Sequence, residues 1–209
     1  MKGLFITFEG GEGCGKTTQI ARLREHLVAR GLRVEVTREP GGTPVAESIR
    51  GLLLDPANTG LSAIAELLLY EAARAQHVAE KIKPALDAGA IVLCDRFADS
   101  TTAYQGAGRA LPRELVLKLH DVAVDGTWPD LTILLDVPVE EGFRRRDNER
   151  ARDRMEHEPL VFHEKVREGF LRLAQEEPRR IRLIDGSRSA DEVTRDIVAE
   201  VDALLGAVR

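Results

Sequence analysis

Residues 10–17 read Gly-Gly-Glu-Gly-Cys-Gly-Lys-Thr and fit the pattern G-x-x-x-x-G-K-[ST], the phosphate-binding loop. The flanks suit that assignment. Leu4-Phe5-Ile6-Thr7-Phe8 is a short apolar run that reads as a buried strand. Ile20, Leu23 and Leu27 recur at helical spacing, and Gly31 offers a helix stop. The loop therefore joins a strand to the start of a helix, where unpaired N–H groups and the helix dipole favour an anion. The glycines let the backbone approach phosphate oxygens without a Cβ in the way. The expected phosphate site is Gly10, Gly11, Glu12, Gly13, Cys14, Gly15, Lys16, Thr17 and Thr18. In this motif Lys16 reaches the β- and γ-phosphates and the Thr17 hydroxyl holds Mg²⁺.

Strand and helix signals alternate along the rest of the chain. Strands are predicted at 33–37, 91–95, 131–136 and 181–184, the last three nearly continuous in apolar residues. Helices are predicted from Thr43-Pro44 toward Leu54, over about 62–88, over about 112–124, and from the capping box Ser189-Ala190-Asp191-Glu192 onward. Such alternation implies crossovers, hence an α/β fold of the P-loop type: a five-stranded parallel sheet with helices on both faces. With 209 residues and no linker or repeat, residues 1–209 are expected to form one domain. The net charge of −5 gives no reason to expect nucleic-acid binding, and no run has the apolar length of a transmembrane helix. Met1-Lys2-Gly3 leads straight into the first strand without a signal-peptide pattern, and Cys14 and Cys94 suggest neither a zinc site nor a disulfide framework. The cytoplasm is the expected compartment.

In open parallel sheets, ligands bind outside the carboxyl ends of the strands. Asp95-Arg96 follows the third strand and Arg38 follows the second. An Asp there can hold a Mg²⁺-bound water and an Arg can grip phosphate bidentately. The plainer alternatives are a structural ion pair and a turn cap. Tyr70 and Arg74 share a helix face, where a ring and a guanidinium either sandwich a nucleobase or simply pack. Thr101, Tyr104 and Gln105 carry the same ambiguity. The run 144–154 holds six arginines and three acids, a reversal in an acidic chain. Such runs are usually solvated helix faces. Beginning shortly after a strand end, this one can also fold over the site as a mobile lid, about 143–156, with two or three arginines left facing solvent. The five histidines form no visible constellation with cysteine or carboxylates.

Taken together, several segments resemble the thymidylate kinases, and the bacterial branch in particular. They are the opening loop, Thr37-Arg38-Glu39-Pro40-Gly41-Gly42-Thr43, the run from Asp95-Arg96-Phe97 through Ser100-Thr101 to Ala103-Tyr104-Gln105, Pro129-Asp130-Leu131-Thr132, and Arg152-Asp153-Arg154-Met155-Glu156. The resemblance spans nearly the whole chain. It implies transfer of the ATP γ-phosphoryl group to dTMP with Mg²⁺, by an enzyme that commonly dimerises. It places Arg38 and Arg96 on the dTMP phosphate, Tyr70 on the thymine ring, and Arg74, Thr101 and Gln105 at the polar edge of the base, with Ser100 and Tyr104 in the same substrate pocket. Glu12 matches a position that contacts the sugar 3′-hydroxyl, and Asp95 acts near the metal. Relatives with an arginine inside the phosphate loop carry it where this chain has Gly13. The lid is then expected to supply the arginines, first Arg150 and next Arg152 or Arg154. Another nucleoside monophosphate kinase would keep the loop and lid but not the Tyr70, Arg74, Thr101 and Gln105 set. A guanine-nucleotide switch would carry N-K-x-D, which is absent.

Overall fold

A computed structural model describes residues 3–146 and 153–207. The five strands are β1 (Leu4–Glu9), β2 (Val34–Arg38), β3 (Ile91–Asp95), β4 (Leu131–Asp136) and β5 (Ile181–Asp185). All pairs are parallel and the spatial order is β2-β3-β1-β4-β5. The predicted strands are all present, the first and fifth extended and the second shifted by one residue. The side chains of β1 alternate between the two faces. Leu4, Ile6 and Phe8 pack with α1 (Lys16–Ala29) and α9 (Ala190–Ala207) through Leu23, Leu27, Ile197 and Val201. Phe5 faces the other way, onto Val78, Ile82 and Phe97. Both faces are covered, which is why these strands are apolar throughout. Register brings Arg38 opposite Asp95 and Asp95 opposite Phe8, so the ends of β2, β3 and β1 lie side by side.

The helix starts follow local chemistry. Thr43 caps α2 (Pro44–Leu54) through its side chain to the Ala46 N–H, with Pro44 at the first position. Ser62 caps α3 (Ala63–His77) through the Ala65 N–H. The reciprocal Ser189 and Glu192 bonds open α9 as expected. The long helix expected over 62–88 is not uniform. It runs as α3, then a π-helical turn Val78–Ile82, then α4 (Lys83–Asp87). Pro84 has no N–H and its ring collides with the carbonyl four residues back, so the backbone widens ahead of it and Lys83 donates to the Val78 carbonyl. A second wide turn, Thr102–Gly108, follows the short α5 (Ala98–Thr101) and carries Tyr104 and Gln105. The remaining helices are α6 (Arg113–Val124), α7 (Val139–Arg146) and α8 (Leu160–Glu176). The helix α8 was not legible in the sequence. It packs on the Tyr104 turn through Phe162, Val166 and Phe170.

Candidate active site

The carboxyl ends of β1, β2 and β3 open onto one cleft of about 690 Å³. At one end lies the loop between β1 and α1. No side chain caps α1, so its first N–H groups are not bonded to a cap. Lys16 Nζ donates to the carbonyls of Gly11 at 2.9 Å and Gly10 at 3.3 Å, and lies 3.4 Å from Cys14 Sγ. Cys14 to Thr18 line the cleft together with Glu12 and Gly13, whereas Gly10 and Gly11 back onto a small cavity behind it. The sequence suggests that all the loop glycines serve a ligand, but they do not. A Cβ on Gly13 would stand 1.9 Å from the Gly142 carbonyl oxygen of α7, and φ there is +63°. Gly13 is thus small because α7 packs on the loop, and an arginine in its place has no room. Thr17 Oγ1 and Asp95 Oδ2 lie 3.5 Å apart at the mouth of the loop. Two hard oxygen donors beside a phosphate loop suit Mg²⁺, which takes few protein ligands and relies on phosphate and water for the rest. Asp136, at the end of β4, is engaged by Arg167 at 2.7 and 2.8 Å and does not line this cleft.

The turn after β3 carries the second cluster. Arg96 has φ +70°, a left-handed conformation that costs a side-chain-bearing residue on the order of 1–3 kcal/mol. The buried carboxylate of Glu9 holds that turn. It accepts from the Phe97 N–H at 2.7 Å and from Ser100 Oγ at 2.5 Å. Burial, then the charge of Asp99, pushes the Glu9 carboxyl well above the usual carboxylate range. Arg96 in turn donates to the Gly10 carbonyl at 3.0 Å, to Ser100 Oγ at 3.1 Å and to Glu12 Oε1 at 2.7 Å, with its guanidinium over the Tyr104 ring. Tyr104 donates its hydroxyl to the same Glu12 oxygen at 2.8 Å. Burial alone would raise the Glu12 carboxyl, but Arg96, Lys16 and the Tyr104 hydroxyl outweigh it and hold it at about 2. Ser100 and Tyr104, expected as substrate contacts, line the cleft while their polar atoms orient Arg96 and Glu12. Glu9 was missed by the sequence reading because a carboxylate inside a strand run carries no local signal.

The far end of the cleft is built on one face of α3. Glu66, Tyr70 and Arg74 follow one another at four-residue spacing. Tyr70 lines the cleft. Arg74 also reaches it but is far more committed than a simple base contact. It is 2% exposed and donates to Glu39 at 2.8 Å, Glu71 at 2.8 Å and Thr101 Oγ1 at 2.9 Å, with its guanidinium over the Phe97 ring. His77 bonds Glu39 and Thr37, and His120 bonds Glu71 and Thr102. The histidines thus do pair with carboxylates, across elements distant in sequence, and both pairs are structural. Thr101 and Gln105 line the cleft beside Arg74.

Among the arginines, Arg38 lines the cleft and is held by Glu47 at 3.0 Å. Arg50 of α2 lines it too, donating to the Pro40 carbonyl at 2.7 Å. Burial, then the nearby Arg38 charge, lowers the Arg50 pKa. Two guanidiniums facing one cleft suit an anion, and Arg50 was not foreseen because α2 reaches the cleft only through tertiary packing. Within the arginine run, Arg144 pairs with Glu141 in solvent, whereas Arg145 lines the cleft and donates to the Gly186 carbonyl at 2.9 Å. Arg150 and Arg152 lie outside the described residues. Arg154, considered for the lid set, is 8% exposed, with Nε bonded to the Leu53 carbonyl at 2.7 Å and Nη2 2.6 Å from Glu66. Its role is structural. Arg188, in the loop between β5 and α9, pairs with Asp196 and Asp185 and does not line the cleft.

The thymidylate kinase family profile matches residues 8–197. The chain belongs to the thymidylate kinase family. It is 56% identical to the thymidylate kinase of Geobacter sulfurreducens, with 99% of this chain and 98% of that one covered. It is 54% identical to that of Geotalea uraniireducens, with 97% and 98% covered. The crystal structure of thymidylate kinase from Ehrlichia chaffeensis superposes with a TM-score of 0.79 at 36% identity, covering 97% of this chain and 99% of that one. The family assignment expected from the motifs holds over residues 8–197. Gly13 now has its reason: in this member the loop position that carries arginine elsewhere is filled by the backbone of α7.

Proposed function

We propose that this chain is a dTMP kinase that transfers the γ-phosphoryl group of ATP to dTMP. The observation that carries the proposal is the single cleft with a phosphate loop at one end and the Tyr70, Arg74, Thr101 and Gln105 set at the other, joined by Arg38, Arg50 and Arg96. The donor phosphates sit on the loop and the α1 N-terminus, with Lys16 on the β- and γ-phosphates. Thr17 and Asp95 hold Mg²⁺, which neutralises phosphate charge when bound. The acceptor phosphate meets Arg38, Arg50 and Arg96. Thymine stacks on Tyr70 and its polar edge meets Thr101, Gln105 and the remaining donors of Arg74.

The acceptor needs no general base. Its phosphate has a second pKa of about 6 and is mostly a dianion at neutral pH. The barrier lies in bringing two anions together and aligning them, so positive charge and position do the catalysis. Lys16 and Arg96 supply it from the loop and the β3 turn, and Arg150 and Arg152 supply it to the transferring group. Asp95 serves the metal and Glu12 orients Arg96 and the sugar. Neither is assigned proton transfer.

The same reading includes a cytoplasmic homodimer. Val45 and Leu52 of α2, Ile64 and Leu68 of α3 and Leu117 of α6 are exposed apolar residues on helices that pack side by side. A second copy is what would cover them. The cysteines are free, and among the described residues no helix is long and apolar enough to cross a membrane.

The test is ADP formation with a panel of nucleoside monophosphates. The methyl group of thymine is worth roughly 10–200-fold, so dUMP should turn over poorly but measurably, while dCMP should be close to inactive. Turnover of dCMP equal to that of dTMP would refute the pocket, and ATP binding without any acceptor-dependent turnover would refute the kinase.

A further inference from the structure

A glutamine amide has no inherent sense as a reader of bases. Half a turn about its last bond exchanges its acceptor for its donor. Gln105 is held one way round. Its Nε2 donates to Glu66 Oε1 at 2.9 Å, and both residues are buried, at 1% and 0% exposure. The Glu66 carboxylate also receives Arg109 Nε and Nη2, each at 3.1 Å, and Arg154 Nη2 lies 2.6 Å from its second oxygen. Burial alone would raise the Glu66 carboxyl, but the hydrogen bonds from Arg109 and Gln105 outweigh it and keep it below the usual range. An ionised carboxylate only accepts. Gln105 must therefore give it the NH₂ group. The side-chain carbonyl of Gln105 is left without a partner among the described residues, on a side chain that lines the cleft.

We propose that Glu66 is a positioning residue for base selection: it locks the Gln105 amide so that the cleft presents a carbonyl acceptor to the N3–H edge of the base. This rests on the dTMP reading above. Thymine and uracil carry a proton at N3, whereas cytosine carries a bare acceptor there. Against cytosine the Gln105 carbonyl would face a lone pair. It could not rotate away, because its oxygen would then face the Glu66 carboxylate. Thr101 is set in the same manner. Its oxygen accepts from Arg74 Nη2, which leaves its own proton for a ring carbonyl. Selectivity then resides in part in the buried Glu66 carboxylate, which acts on the base only through Gln105.

The test compares kcat/KM for dTMP and dCMP in wild type, Glu66→Gln and Glu66→Asp, alone and with Gln105→Ala. Glu66→Gln lets the Gln105 amide rotate. Glu66→Asp keeps the charge against Arg109 and Arg154 but withdraws the oxygen. The dTMP-to-dCMP ratio should fall on the order of tenfold or more in either variant, through KM more than kcat. In the Gln105→Ala background the Glu66 change should leave the ratio where Gln105→Ala put it. A wild-type ratio in a folded Glu66 variant, or additive effects in the double variants, would overturn the proposal. A residue serving only to anchor α3 would change stability and leave the ratio alone. The wild-type protein gives a readout that does not depend on how the Glu66 variants fold. The Gln105 side-chain amide signal, assigned by its loss in Gln105→Ala, should show a strongly downfield proton from the carboxylate bond. Solvent-like shifts there would overturn the proposal. Absence of dTMP-dependent turnover in wild type would defeat the functional reading instead, while the amide signal would still decide the wiring.

Discussion

Replacing Arg74 with alanine separates two roles that the sequence could not distinguish. As a base contact only, Arg74 would raise KM for dTMP and leave the fold alone. The structure makes it the hub of a buried network. Its guanidinium neutralises Glu39 and Glu71, both 5% exposed, and their remaining partners are His77 and His120. Removing one partner of a buried pair costs about 3–5 kcal/mol. A chain of this length loses about 2–4 °C of Tm per kcal/mol, so Arg74→Ala should melt about 6–20 °C below wild type at pH 7.5. The gap should depend on pH, with a definite sign. In the wild type, burial would raise the Glu71 carboxyl, but Arg74 and His120 hold it below its ordinary value of 4.5. That stabilisation is fully present above the ordinary value and is lost as the pH falls through the lowered one. In the variant the carboxylate is buried without that cation, so burial raises it and uptake of a proton as the pH falls relieves it. The difference in Tm should therefore be full at pH 7.5 and shrink toward pH 5. Thermal melts followed by circular dichroism at both pH values make the comparison. A Tm within about 2 °C of wild type at pH 7.5 would refute the hub assignment, as would a gap that widens on acidification.

Lys16→Ala should abolish turnover with an unchanged circular dichroism spectrum, because its ammonium bonds only loop carbonyls and lies beside Cys14; wild-type-like turnover would remove the phosphate-loop assignment. Arg150→Ala should lower kcat with little change in KM for dTMP, whereas Arg50→Ala should mainly raise that KM, as steady-state kinetics will show. The acid limb of the pH profile of kcat/KM for dTMP should fall near pH 6, with the acceptor phosphate. Glu12, held at about 2, stays ionised through this range. Glu12→Gln should therefore lower the whole profile without moving its acid limb, and a shift of that limb would contradict the assignment.

The sequence by itself determined the sheet, the phosphate loop and the family. Each rests on local or periodic signals. The apolar runs of β1, β3 and β4 are needed wherever a strand is covered on both faces, and the loop pattern states its own backbone geometry. The ends of parallel strands share one edge, so Arg38, Asp95 and Arg96 could be assigned to one cleft before any coordinates. Other facts came only from tertiary structure. Glu9, Glu66 and Arg50 act through partners 91, 39 and 12 residues away along the chain, Ser100, Gln105 and Arg38, and no periodicity encodes such separations. The reasons for Gly13, for the burial of Arg154 and for the histidine–carboxylate pairs likewise lie in the neighbours that packing supplies. Whether a charged side chain reaches a ligand or holds another side chain in place is decided by burial and by the charge beside it. Both are properties of the folded chain.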